Sequence, residues 1–139
     1  MSQARLTRVV EFPAGHRYFR PEWTEQENAE RFGKCSAAPG HGHNYRCEIT
    51  VEGEIAPETG MVIDLVRLDA LLARWITEPM DHAFLNDLPE FAADSLVPTS
   101  ENLARVIWRR LAPVLPSRCT LRVVRVCEDS SLWAEYRGS

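Results

Sequence analysis

The chain is 139 residues long, enough for a single domain over residues 1–139 whose hydrophobic core needs no disulfide staples. Hydrophobic residues make up 45% and charged residues 26%, which excludes disorder, and the net charge of −4 excludes the concentrated basic surface that nucleic-acid binding requires. No stretch is apolar for about 18 residues and MSQARLTRVVEF lacks the apolar run of a signal peptide, so no membrane contact and a cytoplasmic location are expected.

The first segment, LTRVVEFPAGH, places Val10, Phe12, Ala14 and His16 on one parity, as in a strand with His16 at its inner end. Pro13 confines that stretch to a sheet edge or a bulge. A short helix follows, with Thr24 and Glu27 at capping-box spacing and Gly33 closing it after Phe32. It returns the chain to Cys35. The sharpest alternation is HGHNYRCEITV, which puts His41, His43, Tyr45, Cys47, Ile49 and Val51 on one face of a second strand.

The middle reads as helical. Leu65, Leu68, Leu72, Trp75 and Ile76 form one stripe, with Asp64 as N-cap and Pro79 as the expected stop. A second helix carries Leu103, Val106, Ile107 and Leu111, opened by Thr99 or Ser100 and stopped by Pro113. CTLRVVRVCEDSSLWAEYRG reads as two strands turning at Asp129–Ser130, and Arg125 breaks the alternation of the first, predicting a bulge or an inter-subunit contact. The order strand, strand, helix, helix, strand, strand predicts an α+β fold: a four-stranded antiparallel sheet with two helices on one face. Its other face needs a cover, either a partner subunit or barrel closure.

Four cysteines without a C-x-x-C pair read as separate thiols. His16, His41 and His43 can meet at the ends of neighbouring strands, and three imidazoles leave the fourth position of a zinc ion open. The alternative is a set of hydrogen-bonded turn histidines. Cys35, beside Lys34 and near a metal, fits a proton-accepting thiolate, against the alternative of an inert loop cysteine. Cys47, Cys119 and Cys127 read as core. Asp81 and His82 form either a proton-shuttle pair or a helix-end turn. Glu101 suits a helix N-terminus, and Glu128 is either a solvated strand end or a carboxylate able to take two hydrogen bonds from an amino-pyrimidine edge. His41-x-His43 followed by Glu48 is similar to a cupin metal motif, but its glycine spacing, the lack of a second motif and the two central helices set that reading aside.

Taken jointly, FPAGHRY, FGKCSAAPGHGHNY, TGMVIDL, MDHAFLND, PTSEN and VCEDSSLWAEYRG resemble the 6-pyruvoyltetrahydropterin synthase family, in its motif order and over nearly the whole chain. The resemblance implies the tunnelling fold, in which trimers join their sheets into a barrel and two trimers stack as a homo-hexamer. It implies zinc on His16, His41 and His43, and a catalytic relay of Cys35, Asp81 and His82 in sites between subunits. It also implies a pterin anchored by Glu128 and lined by Thr99, Ser100 and Glu101. The implied activity is a zinc-dependent lyase converting 7,8-dihydroneopterin triphosphate to 6-pyruvoyltetrahydropterin and triphosphate. The sister activity yields 6-carboxytetrahydropterin and acetaldehyde on the queuosine route, and a third reading is a non-catalytic pterin-binding protein. Cys35 stands six residues before His41, the spacing of the pyruvoyl type. Gly15 and Cys127 depart from the family pattern, and Arg17 and Lys34 are candidate phosphate contacts by proximity.

Overall fold

The computed structural model describes residues 2–94 and 96–139. Strand β1 (Gln3–His16) pairs antiparallel with β2 (His41–Glu54) along its whole length, from Gln3 opposite Glu54 to His16 opposite His41. Strands β3 (Cys119–Asp129) and β4 (Leu132–Tyr136) continue the antiparallel sheet in the order β1-β2-β3-β4. Pro13 is tolerated because β1 is an edge strand. Its outer side near the end of the strand is covered: His82 N–H donates to Pro13 O (2.7 Å) and Gly15 N–H to Ala83 O (2.9 Å).

One face of the sheet is the core. Phe12, Tyr45, Cys47, Ile49, Val51, Val124 and Val126 are buried there against the helices. Helix α2 (Leu65–Leu72) starts at Asp64, whose carboxylate accepts from Val66 N–H. It contributes Leu68 and Leu72, while α5 (Ser100–Leu111) contributes Leu103, Val106, Ile107 and Leu111. Helix α1 (Glu25–Phe32) lies in the β1–β2 connection, capped by Thr24 as the sequence predicts, and a short α4 (Pro89–Asp94) precedes α5. The opposite face is charged, with Arg5 and Arg122 on Glu52 and Arg46 between Glu11 and Glu48. Among the described residues no helix is long and apolar enough to cross a membrane.

One expectation needs correction. Pro79 does not stop the first long helix. After α2 the chain makes a π-helical turn (Ala73–Thr77) and continues as α3 (Glu78–Met80), with Pro79 inside it. Proline lacks the N–H that would bond the carbonyl four residues back. That carbonyl, on Trp75, is satisfied instead by Arg110 Nη1 at 3.0 Å. The wider turn keeps Leu68, Leu72, Ile76 and Met80, each four apart, on the core side, whereas Leu65 is exposed and Trp75 only partly buried.

The bulge expected in β3 is present and lies at Arg122. Thr50 faces Val123 but Val51 faces Leu121, so one extra residue reverses the parity of the strand. Cys119 and Leu121 point inward before the bulge, and Val124, Val126 and Glu128 after it. Arg125 is left on the charged face, its guanidinium 4.5 Å from the Trp133 ring centre. Cys127 is on that face as well, lining a groove with Arg46 and Trp133 and standing apart from the main core.

Candidate metal centre

The β1–β2 register places His16 directly opposite His41, with His43 two residues further along the same face. The three ring nitrogens converge. His16 Nε2 lies 3.1 Å from His41 Nε2 and 3.1 Å from His43 Nε2, and the ligand atoms of the triad all lie within 4.8 Å of one another. Tetrahedral zinc with bonds near 2.0–2.1 Å would hold its nitrogens about 3.3 Å apart, so the two separations from His16 lie within a few tenths of an ångström of what such an ion needs, and the donor set fits it.

The cluster is prepared for a cation by its surroundings. His16 is fully buried and burial lowers its pKa, so the imidazole is neutral at neutral pH, the form that ligates metals. Its Nδ1 lies 2.8 Å from Pro98 O. A carbonyl only accepts, which places the ring proton on Nδ1 and the free lone pair on Nε2, facing the other two rings. Tyr45 Oη lies 3.0 Å from the same Nδ1 and restrains the ring further. Gly40 lets the loop close over His16: its φ is +116°, and a Cβ there would meet His16 O at 2.7 Å.

Around the triad stand residues from three further segments. Cys35 sits half-buried, as a free thiol, in a 3₁₀ turn (Gly33–Ser36). That turn is fastened beside His16: Tyr18 N–H donates to Cys35 O (2.9 Å) and Arg17 Nε to Ser36 O (2.7 Å). The intervening loop is organised by Asn28, buried, which accepts from Arg20 N–H and donates to the Arg20 and Thr24 carbonyls. Glu128 arrives from β3 and is also buried; its Oε2 lies 3.6 Å from His43 Nε2, and its Oε1 accepts from Tyr18 Oη at 2.9 Å. Burial raises the hydroxyl pKa of both Tyr18 and Tyr45, so both remain protonated, and Tyr18 donates to Glu128.

The other residues singled out in the sequence fall into two groups. Thr99 caps α5 through Asn102 N–H (3.1 Å), and Ser100 follows it, buried, with no hydrogen-bond partner for its hydroxyl among the described residues. Glu101 is exposed, and the segment lies under the triad because Pro98 holds His16. Asp81 and His82 occupy the outer side of β1. They touch each other, Oδ1 to Nδ1 at 2.8 Å, and His82 adopts a positive φ of 59°. A cleft of about 350 Å³ joins His82 to His43 past Ala14 and Gly42. Within one chain, then, the structure brings the triad and Glu128 together and ties the Cys35 turn to them through Tyr18, while Asp81 and His82 bond to each other and to the β1 edge. Arg17 spends its Nε on Ser36 and stacks over Phe19, and Lys34 is exposed.

Sequence reasoning missed Tyr18, Pro98 and Asn86. Asn86 holds the backbone after His16 on both sides, accepting from Arg17 N–H (2.9 Å) and donating to Arg17 O (2.8 Å). Tyr18 shares the parity of His16, a signal that was legible. Nothing in the local pattern pointed to Asn86 or Pro98, which act across long chain separations.

A family model described as 6-pyruvoyl tetrahydropterin synthase matches residues 5–139. The chain belongs to this family. The human 6-pyruvoyl tetrahydrobiopterin synthase is 42% identical over 137 residues, 98% of this chain and 92% of the human one. The structure of 6-pyruvoyl tetrahydropterin synthase from Caenorhabditis elegans superposes with a TM-score of 0.92 at 34% identity, covering 100% of this chain and 98% of that one. A putative 6-carboxy-5,6,7,8-tetrahydropterin synthase of Archaeoglobus fulgidus is 35% identical over 104 residues, 75% of this chain and 79% of its own length. The synthase family therefore extends over the sheet, the histidine triad and both long helices.

Proposed function

We propose that this chain is a 6-pyruvoyl tetrahydropterin synthase, a lyase that converts 7,8-dihydroneopterin triphosphate to 6-pyruvoyltetrahydropterin with loss of triphosphate. The observation that carries the reading is the convergence of three imidazoles with a buried carboxylate, with the turn that carries a free thiol tied to them through Tyr18. Full-length similarity to the human synthase supports the pyruvoyl branch, and so does the Cys35–His41 spacing.

His16, His41 and His43 would hold zinc. Zinc bound there would supply Lewis-acid polarisation of the substrate's side-chain hydroxyls, acidifying the adjacent C–H and O–H groups. Cys35 accepts the released proton as thiolate. Asp81 orients His82 through their 2.8 Å bond, and the pair passes protons onward. Glu128 accepts from the amino-pyrimidine edge of the pterin, whose adjacent N–H groups match two carboxylate oxygens, and Thr99, Ser100 and Glu101 line the ring. Proton redistribution moves reducing equivalents from the side chain into the ring, and triphosphate leaves. A simple pterin carrier would have no use for the relay.

The assembly belongs to the same reading. An edge strand at each side of the sheet and a charged face opposite the helices support trimers whose sheets join as a barrel, stacked as a hexamer. Residues 1–139 act as one domain, in the cytoplasm. In such an assembly Asp81 and His82 serve the site of a neighbouring subunit.

The test is mass spectrometry of products after anaerobic incubation of zinc-loaded protein with 7,8-dihydroneopterin triphosphate. A pyruvoyl product with free triphosphate is expected. A carboxy product with acetaldehyde would move the protein to the queuosine branch, and binding without turnover would leave a pterin-binding protein.

A further inference from the structure

Buried carboxylates are held by specific donors, because an unsatisfied charge away from water is costly. Glu128 is 6% exposed. Among the described residues its side-chain hydrogen bond is the 2.9 Å contact from Tyr18 Oη to Oε1, and its other oxygen faces His43 Nε2 at 3.6 Å, beyond hydrogen-bond range. Glu128 also stands at an irregular point of the backbone: Cys127 faces Trp133 and Asp129 faces Leu132, so Glu128 has no partner in the β3–β4 register. A residue at such a bulge is not oriented by the ladder. A side-chain donor must do it.

Tyr18 is itself rigidly held. Its ring meets the His16 ring edge-on with centroids 5.0 Å apart and the Phe32 ring edge-on at 5.8 Å. Its N–H is fixed to Cys35 O at 2.9 Å. One residue thus touches the metal cluster through its ring, the cysteine turn through its backbone and the carboxylate through its hydroxyl.

We propose that Tyr18 is a positioning residue of the pterin site, setting the plane of the Glu128 carboxylate relative to the histidine cluster and the Cys35 turn. An ionised carboxylate has about four lone-pair sites. The Tyr18 hydroxyl occupies one on Oε1 and leaves one on that oxygen and both on Oε2 for a ligand presenting two parallel N–H donors. Fixing the carboxylate torsion in advance removes an ordering cost from binding without using up the acceptors the ligand needs. The ligand class that gains is a planar amino-pyrimidine; a ligand held only through its hydroxyls gains nothing.

This inference rests on the pterin reading above, and the experiment separates the two. Binding of neopterin, followed by its own fluorescence, and kcat/KM with 7,8-dihydroneopterin triphosphate are measured for the zinc-loaded protein and for Tyr18→Phe, Glu128→Ala and the double variant. Tyr18→Phe is expected to keep one zinc per chain and to weaken neopterin binding about tenfold, the size of one hydrogen bond to a charged group. Its kcat/KM falls by a similar factor, carried by KM with kcat within about twofold. In the Glu128→Ala background the same substitution changes kcat/KM less than about twofold, because its partner is gone. Unchanged neopterin binding in Tyr18→Phe overturns the proposal. So does an equal loss in both backgrounds, which would make Tyr18 a packing residue, and so does loss of zinc, which would make it a support of His16. If the parent protein binds no neopterin at all, the pterin reading fails and this inference with it.

Discussion

Replacing Arg110 by Met tests whether the π-helical turn is held by one side chain. The Arg110 side chain is 14% exposed and uses all three guanidinium nitrogens: Nε and Nη2 bond the two oxygens of Glu90 (2.5 and 2.7 Å), and Nη1 bonds the Trp75 carbonyl that Pro79 leaves without a donor. Methionine keeps the apolar stem but strands both acceptors. Hydrogen bonds to charged groups contribute about 1.5–3 kcal/mol each; Glu90 can turn partly to water, so the expected loss is about 2–3 kcal/mol. At this chain length that corresponds to a Tm lower by about 6–12 °C, read at fixed protein concentration because assembly also contributes. The dependence on pH has a definite sign. The hydrogen bond from Arg110 holds the Glu90 carboxyl below its ordinary pKa of 4.5. Its contribution is therefore complete above about pH 4.5 and is lost as the pH falls through the lower folded-state value. Parent and variant should diverge at pH 7 and converge in acid, leaving only the smaller penalty at the Trp75 carbonyl. A variant within about 0.5 kcal/mol of the parent at pH 7, or a gap that does not close in acid, would refute the reasoning.

Three further outcomes follow from the site. Cys35→Ala keeps stoichiometric zinc by elemental analysis and loses turnover by about 10²-fold or more, since a proton acceptor is removed and no ligand is touched. Tyr45→Phe retains the fold but weakens zinc affinity about tenfold in chelator competition, because His16 loses a restraint behind its ligating nitrogen. His82→Asn, chosen because asparagine tolerates the positive φ of that position, is inactive alone. Refolding it together with Cys35→Ala restores part of the activity if each site draws Cys35 and His82 from different subunits; no recovery would place both in one chain's site.

Much of this was legible in the sequence because it obeys short periods. Strict alternation through His41–Val51 put both histidines on the buried side, and the parity of Phe12, Ala14 and His16 delivered the third. The Thr24 and Asp64 caps were readable from spacing alone. What was not readable depends on partners distant in the chain. Pro79 looks like a stop because its remedy, Arg110, lies 35 residues from Trp75. The break in alternation at Arg125 announces a bulge but not its position, three residues earlier, where β2 and β3 change register. Pro98 orients His16 across 82 residues and Tyr18 reaches Glu128 across 110.

The functional groups and the irregularities coincide for a physical reason. Regular strands and helices repeat the same few directions, and a site that needs imidazoles, a thiol and a carboxylate to converge on one small volume must break the repeat. The parity reversal in β3 turns Glu128 inward; had the strand kept its first phase, Cys127 would face the histidines and Glu128 the charged face. The π turn carries the chain through Pro79 to Asp81 and His82, the second of which takes a positive φ against the β1 edge. Each irregularity carries its own compensation, Tyr18 at Glu128, Arg110 at Trp75 and the Pro13 carbonyl at His82. These three contacts are therefore where substitutions distant from any ligand should reach the chemistry, and why the residues flanking a motif matter as much as the motif.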